Sequence, residues 1–238
     1  MRLFILTGAG VSAESGLGTF RDVSGTGLWA RFDPMKLATP EAFARDPAAV
    51  QEFYNLRRRN LLSAEPNAAH VALAKLERQL PRRGGTLTLV TQNVDDLHER
   101  AGTQAVIHMH GELRKARCVA CGLLRAQHED ISVQEHCPRC GSVGTLRPHV
   151  VWFGETPLFM EEIFAALSKA DVFVAIGTSG SVYPAAGFVS QARALGIRTC
   201  EINLDPSDNA QLFDERRYGA ASAITPAWVE EVLSGPAN

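Results

Sequence analysis

The chain begins with an apolar run, LFIL at Leu3–Leu6, that leads into a glycine-rich stretch, GAGVSAESG at Gly8–Gly16. An apolar strand that breaks into such a turn is typical of folds that bind a dinucleotide. In that pattern Gly8 permits the tight turn, Gly10 lets the backbone approach a pyrophosphate, and Ala13 leaves room for a following helix to pack on the strand. N–H groups at the start of that helix would face the anion. The stretch predicts a nucleotide site; the alternative for this motif by itself is a glycine-rich turn without a ligand.

The residues that follow depart from the ordinary dinucleotide-binding pattern. That pattern has a second strand that ends, about 20 positions further on, in an acidic residue that binds the ribose. Residues 20–27 instead read FRDVSGTG, which is typical of a loop. This makes a plain dehydrogenase a less favoured interpretation.

Composition limits the class of protein. The chain has 238 residues and is 45% hydrophobic, which is enough for a large domain, alone or with a small one, around a substantial core. The formal net charge of −2 gives no broad attraction to nucleic acid or to an anionic membrane. No apolar stretch reaches the ~18 residues of a membrane span. We expect a cytoplasmic protein without a signal peptide, with no membrane partner and no specific nucleic-acid partner.

Short apolar runs alternate with helical patterns, which is typical of buried parallel strands joined by crossover helices. The runs are Leu3–Leu6, Leu87–Val90, Val106–Met109, Val172–Ile176 and Arg198–Ile202. They predict an α/β fold, a Rossmann-like doubly wound parallel sheet. Two stretches interrupt the alternation and predict a smaller module, made of a helical insertion at 33–80 and a zinc-binding segment at 112–148. The sheet domain, which contains the predicted nucleotide site, then comprises 1–32, 81–111 and 149–238.

Capping signals predict three helix starts. Asp46 and Pro47 have the residue types of an N-cap and a first helical residue, and Asn67 is a second N-cap candidate. Pro184 predicts the start of a further helix that ends at Gly196.

Four of the five cysteines form two C-x-x-C pairs, Cys118 with Cys121 and Cys137 with Cys140, and 15 residues separate the pairs. This spacing is typical of a four-cysteine zinc site, and buried free cysteines are the alternative. Four thiolates leave no open coordination position, so we expect one structural zinc ion rather than a catalytic one. The segment carries only a small excess of basic residues, which argues against a nucleic-acid role.

Three further motifs each follow a predicted strand: Thr91–Asp95 (TQNVD), His108–Gly111 (HMHG) and Gly177–Ser179 (GTS). Ligands bind at the carboxyl ends of strands in open α/β sheets, so these groups could converge on one crevice. Together with the glycine-rich stretch, FR at 20–21 and the cysteine pairs, they resemble the sirtuin family of NAD-dependent protein deacylases. The resemblance extends from Leu3 to about Leu233, with the motifs in family order.

The resemblance implies that the chain consumes NAD, moves an acyl group from lysine to ADP-ribose and releases nicotinamide. It assigns His110 as the general base and Asn93 as a catalytic residue that orients the ribose or a water. The implied NAD-binding residues are Gly8, Ala9, Gly10, Ala13, Phe20, Arg21, Gln92, Asn93, Asp95, Gly177, Thr178, Ser179, Asn203 and Ala221. The implied partners are proteins with acylated lysines, and the peptide would add as a strand along Val151, Phe153 and Gly154.

Residue chemistry alone does not separate His110 from His108, which lies two positions earlier on the same strand face. Histidine suits the role of base because its ordinary pKa, near 6.5, leaves much of it neutral at cytosolic pH. The remaining histidines of the sheet domain and helical insertion are expected to be surface or core residues: His70, His98 and His149.

Tyr54 and Arg57 are three positions apart on a predicted helix and therefore share a face. The Tyr-x-x-Arg pair resembles the signature of the sirtuin branch that removes negatively charged acyl groups such as succinyl and malonyl. A guanidinium and a phenol can both donate to a terminal carboxylate. In the alternative interpretation, Arg57 lies with Arg58 and Arg59 on a solvent-exposed basic face of the helix, and Tyr54 packs in the core. Thr19, where many deacetylases carry an acidic residue, also fits this branch, and we expect both deacetylase and desuccinylase or demalonylase activity.

Two other functions remain open at this stage. One is a protein ADP-ribosyltransferase that uses the same cleavage of NAD. The other is a non-catalytic NAD or ADP-ribose sensor whose zinc module binds a partner.

Overall fold

The computed structural model describes residues 1–18 and 34–235, and two sheets form within them. The main sheet contains β1 Arg2–Thr7, β2 Thr86–Thr91, β3 Val106–His108, β7 Val172–Ile176, β8 Arg198–Asn203 and β9 Glu215–Tyr218. The smaller, antiparallel sheet contains β4 Gly111–Cys118, β5 Leu124–Ala126 and β6 Leu146–Val150. The predicted α/β fold with a smaller module is confirmed.

The main sheet has the strand order β3-β2-β1-β7-β8-β9, and every neighbouring pair is parallel. The chain adds β2 and β3 on one side of β1 and then β7, β8 and β9 on the other, so the order reverses between β1 and β7. Four of the five predicted apolar runs lie entirely in strands, and the fifth, Val106–Met109, extends one residue beyond β3. β9 was not predicted, because this edge strand reads ERRY and contains no apolar run.

The helices of the described ranges are α1 Pro34–Leu37, α2 Pro40–Arg45, α3 Pro47–Ser63, α4 Ala68–Gln79, α5 Leu97–Arg100, α6 Met160–Leu167, α7 Phe188–Ala194 and α8 Ala221–Ser234. Asp46 caps α3 through its side chain, which accepts a hydrogen bond from the Ala49 N–H at 3.0 Å. Asn67 caps α4 by accepting from the Ala69 N–H at 2.9 Å. Both predicted starts are confirmed. None of these helices has the length and apolar character needed to cross a membrane.

Two predicted helix starts are wrong, because tighter turns take their place. The glycine-rich stretch continues into 3₁₀ turns at Ala9–Val11 and Ala13–Ser15 rather than into an α-helix. Ala13 is exposed, so helix packing is not the reason for its small side chain. After Pro184 a 3₁₀ turn at Ala185–Gly187 precedes α7. Local residue preferences do not distinguish a single 3₁₀ turn from the first turn of an α-helix.

Helices cover both faces of the main sheet. Alternate residues of β1 point to opposite faces, so Leu3 and Ile5 pack with α4 and α8, whereas Phe4 and Leu6 pack with α6 and α7. Burial on both faces explains why the central strands are almost continuously apolar.

The smaller module packs against α3. An apolar cluster joins this helix to β4, to β6 and to the residues after β6 through Phe53, Tyr54, Leu113, Val150 and Trp152. The proposed division into domains stays a prediction. Of the two longer helices in the predicted helical insertion, α3 packs with the small module, whereas α4 packs on the main sheet.

Candidate active site

The turns after β1 and β7 meet at the point where the strand order reverses. Gly8 N–H donates to Ile176 O (3.0 Å), and Gly10 N–H donates to Gly177 O (2.8 Å). A Cβ on Gly8 would lie 2.7 Å from Gly177 O, and one on Gly10 would lie 2.8 Å from Gly177 Cα. These glycines therefore allow two backbone turns to touch, whereas Gly8 itself has an extended φ of −130° that does not require glycine. Such a crevice is where open α/β sheets bind ligands.

Ser12 holds two predicted site residues together beside this crevice. Its hydroxyl donates to Asp95 Oδ2 (3.0 Å) and accepts from Asn93 Nδ2 (3.1 Å). All three side chains are buried. Burial raises the pKa of Asp95, while hydrogen bonds from the Leu97 N–H and from Ser12 favour its carboxylate. The arrangement presents an amide and a carboxyl group next to each other at the carboxyl end of β2.

His70 sets the direction of the Ser12 hydroxyl. His70 Nδ1 accepts from the Asn67 N–H (3.2 Å), so the neutral ring carries its proton on Nε2, which lies 3.3 Å from Ser12 Oγ. Burial lowers the pKa of His70 to about 4, which keeps the ring neutral. Ser12 Oγ thus accepts from His70 and from Asn93, and its own proton is directed to Asp95.

His110 has the surroundings of a base. Its Nδ1 lies 3.1 Å from Gln92 O, so the N–H on Nδ1 donates to that carbonyl and Nε2 is the acceptor nitrogen. Burial lowers the pKa of His110, and the hydrogen bond to Gln92 only partly opposes this. The ring is therefore neutral near pH 7 and can accept a proton.

His108 has different surroundings. Its Nε2 bonds Glu99 Oε1 at 2.5 Å, and its Nδ1 lies 3.3 Å from Asn93 O. Burial lowers the pKa of His108, but the hydrogen bond and the charge of Glu99 outweigh burial and raise it. Both ring nitrogens then act as donors, so His108 supports the Asn93 backbone and is poorly suited to accept a proton.

Some of the other predicted NAD residues lie at this sheet edge and others do not. Asn203, at the end of β8, donates from Nδ2 to Thr178 O (2.7 Å), and Ser179 Oγ accepts from the Ser181 hydroxyl (2.8 Å). Ala221 is buried in the first turn of α8 and packs in the core of the main sheet. Thr19, Phe20 and Arg21 lie outside the described residues.

Tyr54 packs in an apolar cluster with Leu97 and Trp152, and Arg57 lies close enough to Asp95 to interact with its charge. The Tyr54 hydroxyl accepts from Trp152 Nε1 (2.9 Å) and is also hydrogen-bonded to the Arg57 side chain. Burial raises the pKa of Tyr54, which keeps it a phenol. Burial lowers the pKa of Arg57, and the nearby Tyr54 and Asp95 oppose this shift. Arg58 is buried and Arg59 exposed, so the three arginines do not form one solvated face.

The predicted peptide-binding residues leave β6 in a turn and not as a continuing strand. The Val151 N–H donates to His110 O (2.8 Å), and the Phe153 N–H donates to Ala38 O (2.9 Å). Phe153 is 37% exposed, and Gly154 has a φ of +86° with open space beside it. Because those two N–H groups are engaged, a peptide strand placed here would pair with carbonyl groups of the segment.

Comparison with known proteins decides the family, since the profile of the Sir2 family matches residues 8–184. The chain belongs to the Sir2 family. It is 61% identical over 234 residues to an NAD-dependent protein deacylase of Caulobacter vibrioides, a match that covers 98% of each chain. A solved Sir2 homologue–NAD complex superposes with a TM-score of 0.84 at 40% identity, covering 98% of this chain and 91% of that chain. A mutant Sir2 homologue bound to 2′-O-acetyl ADP ribose superposes with a TM-score of 0.88 at 40% identity, covering 100% and 95%.

The four paired cysteines of this Sir2 protein have the geometry of a metal centre. Their sulfur atoms all lie within 4.8 Å of one another, with 3.8 Å between Cys118 and Cys140 and 3.7 Å between Cys121 and Cys137. Sulfurs at about 2.3 Å from a tetrahedral Zn²⁺ lie about 3.8 Å apart, so the cluster fits zinc. Four thiolates complete the coordination, which makes the ion structural. His128 and His136 are exposed and lie outside this cluster.

Sequence reasoning missed the buried polar layer beneath the Sir2 site. The Thr7 hydroxyl donates to Thr91 Oγ1 (2.9 Å) and lies 3.0 Å from His98 Nε2. His70 and His98, predicted only as surface or core residues, are both buried here. The signal was present, because threonine ends both β1 and β2, and Thr7 and Thr91 are register partners.

Proposed function

We propose that this chain removes acetyl groups and negatively charged acyl groups, succinyl and malonyl, from lysine side chains of proteins. It is an NAD-dependent protein deacylase, and its products are nicotinamide, O-acyl-ADP-ribose and free lysine. The observation that carries the proposal for acidic acyl groups is the pair of polar side chains on α3, Tyr54 and Arg57, which are hydrogen-bonded to each other, with Arg57 close to Asp95. Acylated proteins are its substrates, and a cytoplasmic location stays a prediction.

The residues of the site have separate roles in this reaction. When bound, NAD supplies the ribose that accepts the acyl group and the nicotinamide that leaves. His110 Nε2 takes the proton of a ribose hydroxyl, and proton transfer of this kind contributes about 10²- to 10⁴-fold to a rate. Asp95 accepts a hydrogen bond from the carboxamide of the leaving group. Asn93, held by Ser12, orients the ribose or a water.

NAD fits the residues that would hold it. Backbone turns at Gly8–Gly10 and Gly177 meet at the reversal of strand order, which favours a dinucleotide across the sheet edge. Asn93, Asp95 and Gln92 provide amide and carboxyl groups for the nicotinamide and its ribose. Thr178, Ser179 and Asn203 lie further along the same edge, at the ends of β7 and β8.

Matched acetyl-lysine and succinyl-lysine peptides, assayed with and without NAD, test the proposal. A guanidinium in the acyl pocket stabilises a carboxylate and offers an acetyl group nothing equivalent, so Arg57→Met should reduce desuccinylation at least tenfold more than deacetylation. Arg59→Met, on the exposed part of the same helix, is the matched control. Equal losses for both acyl groups in Arg57→Met would overturn the assignment of the pocket.

The alternative functions give different products. An ADP-ribosyltransferase would add ADP-ribose to a protein target and leave its acyl-lysines intact, which mass spectrometry distinguishes. A sensor would release no nicotinamide from NAD and a succinyl-lysine peptide, and His110→Ala would change nothing.

A further inference from the structure

A second face of α3 attaches this helix to the small module. Gln51, Asn55 and Arg58 are spaced four and three positions apart, so they share one side of the helix. All three are buried, with exposed fractions of 3%, 5% and 1%. Tyr54 and Arg57 lie about a quarter-turn around the same helix, because successive residues are separated by about 100°.

The three buried side chains bond directly to the backbone of the small module. Gln51 Nε2 donates to Leu146 O (2.6 Å), and Arg58 Nε donates to Leu113 O (3.2 Å). Asn55 pairs with Ile131 in both directions, since Nδ2 donates to Ile131 O (3.0 Å) and Oδ1 accepts from the Ile131 N–H (2.9 Å).

Two of the three module residues that receive these bonds, Ile131 and Leu146, pack around the cysteines, whereas Leu113 packs in the apolar cluster with α3. The side chains of Ile131 and Leu146 form one apolar cluster with Cys118 and Cys137. Arg58 Nη1 also donates to Asn55 Oδ1 (2.7 Å), which ties two of the three attachments together. Polar groups this deeply buried resist displacement, because leaving either partner unpaired is costly. The helix that carries Tyr54 and Arg57 is thus fixed to the surroundings of the metal centre.

We propose that Gln51, Asn55 and Arg58 are positioning residues for acyl specificity, through which the metal-bearing module holds Tyr54 and Arg57 in place for a negatively charged acyl group. The inference rests on the proposed function. A succinyl carboxylate requires two donors at a fixed place, whereas an acetyl group requires neither. Loosening the attachment therefore weakens recognition of the charged acyl group and has little effect on the shared chemistry at His110.

Asn55→Ala in the zinc-loaded enzyme tests the proposal, with Asn60→Ala as a matched control on the exposed side of the same helix. We expect Asn55→Ala to raise KM for a succinyl-lysine peptide about tenfold, with KM for the acetyl peptide and kcat for both changed by less than about twofold. Asn60→Ala should match the parent protein. Metal content, measured by mass spectrometry, should remain at one zinc per chain in both variants.

Two further variants make every outcome decisive. If Asn55→Ala does not fold, Gln51→Ala, which removes one attachment, is tested instead. We then expect the ratio of the succinyl KM to the acetyl KM to rise about threefold. A folded, zinc-loaded variant whose succinyl and acetyl KM values change by the same factor overturns the inference. Arg57→Met separates the two proposals. If Arg57→Met affects both acyl groups equally, the acyl pocket itself is refuted. If Arg57→Met is selective for succinyl but Asn55→Ala and Gln51→Ala are not, only the positioning role is refuted.

Discussion

Two histidines two positions apart differ in chemistry because their neighbours differ. His108 bonds a carboxylate, Glu99, and its pKa is raised. Within the described residues His110 bonds a backbone carbonyl, that of Gln92, and its pKa is lowered. Their residue type and spacing were evident from the sequence, but the prediction that they share a strand face is wrong, because β3 ends at His108 and His110 lies in the turn before β4. Which of them has a carboxylate neighbour could not be predicted, because Glu99 reaches His108 from α5, an element separate in the chain.

The activity should depend on pH through His110. The base form is neutral imidazole, so it is lost as pH falls through the pKa of His110, and a lowered pKa moves that loss to a more acidic pH. We expect kcat/KM to fall on the acid side with a midpoint below the ordinary value of about 6.5. His110→Ala should lose about 10²- to 10⁴-fold in kcat and the acid limb with it. An acid limb centred above 6.5 would contradict the assignment.

Removal of the Ser12 hydroxyl should disturb the orientation of Asn93 and Asp95 without unfolding the protein. Ser12→Ala deprives Asn93 of its acceptor and Asp95 of a donor. Loss of a hydrogen bond that orients an active-site group costs about 10- to 100-fold in activity, so we expect kcat to decrease within that range for both acetyl and succinyl peptides. Ser168→Ala, an exposed serine at the end of α6, is the control. A variant with full kcat would show that the hydroxyl is not needed to orient Asn93 and Asp95.

Elements whose burial is set by their own residues were predictable. The central strands are buried on both faces and are therefore apolar throughout, and Asp46 and Asn67 cap their own helices. Elements that depend on contacts from elsewhere were not. The turn at Gly8 has its shape because Gly177, far along the chain, packs on it, and β9 forms only because β8 offers it a free edge.

The contact between the two turns makes Gly8 sensitive to a single methyl group. In Gly8→Ala the new Cβ would meet the Gly177 carbonyl oxygen at 2.7 Å, and both atoms belong to turns fixed by adjacent strands. Overpacking of this kind costs about 1–3 kcal/mol, so we expect that loss in the free energy of unfolding and weaker binding of NAD. Urea denaturation and calorimetric titration measure the two effects. Gly187→Ala is the control, because the nearest atom to its Cβ would be 3.6 Å away; equal stabilities of the two variants would refute the steric argument.

The whole molecule combines two parts that are stabilised differently. Apolar cores stabilise the sheet domain, whereas the small module has only a small apolar cluster around its cysteines. The module's cluster contains few large side chains and includes three of the metal-binding cysteines, Cys118, Cys121 and Cys137. The paired spacing of the cysteines predicted this centre because all its ligands lie within one short segment. Its attachment to α3 could not be predicted, since the bonds of Gln51, Asn55 and Arg58 join segments far apart in the sequence.

Removal of the metal should therefore unfold one part of the molecule before the other. Zinc binding supplies folding free energy to small metal-binding modules, whereas the main sheet is covered by helices on both faces. After chelation at neutral pH, hydrogen exchange should show lost protection across 112–148, partial loss in α3, which is bonded to the module, and retained protection in β1, β2 and β7. Returning zinc should restore the original pattern. Simultaneous loss of protection in the main sheet would show that the module and the sheet domain unfold as one unit, contrary to the predicted division of the chain.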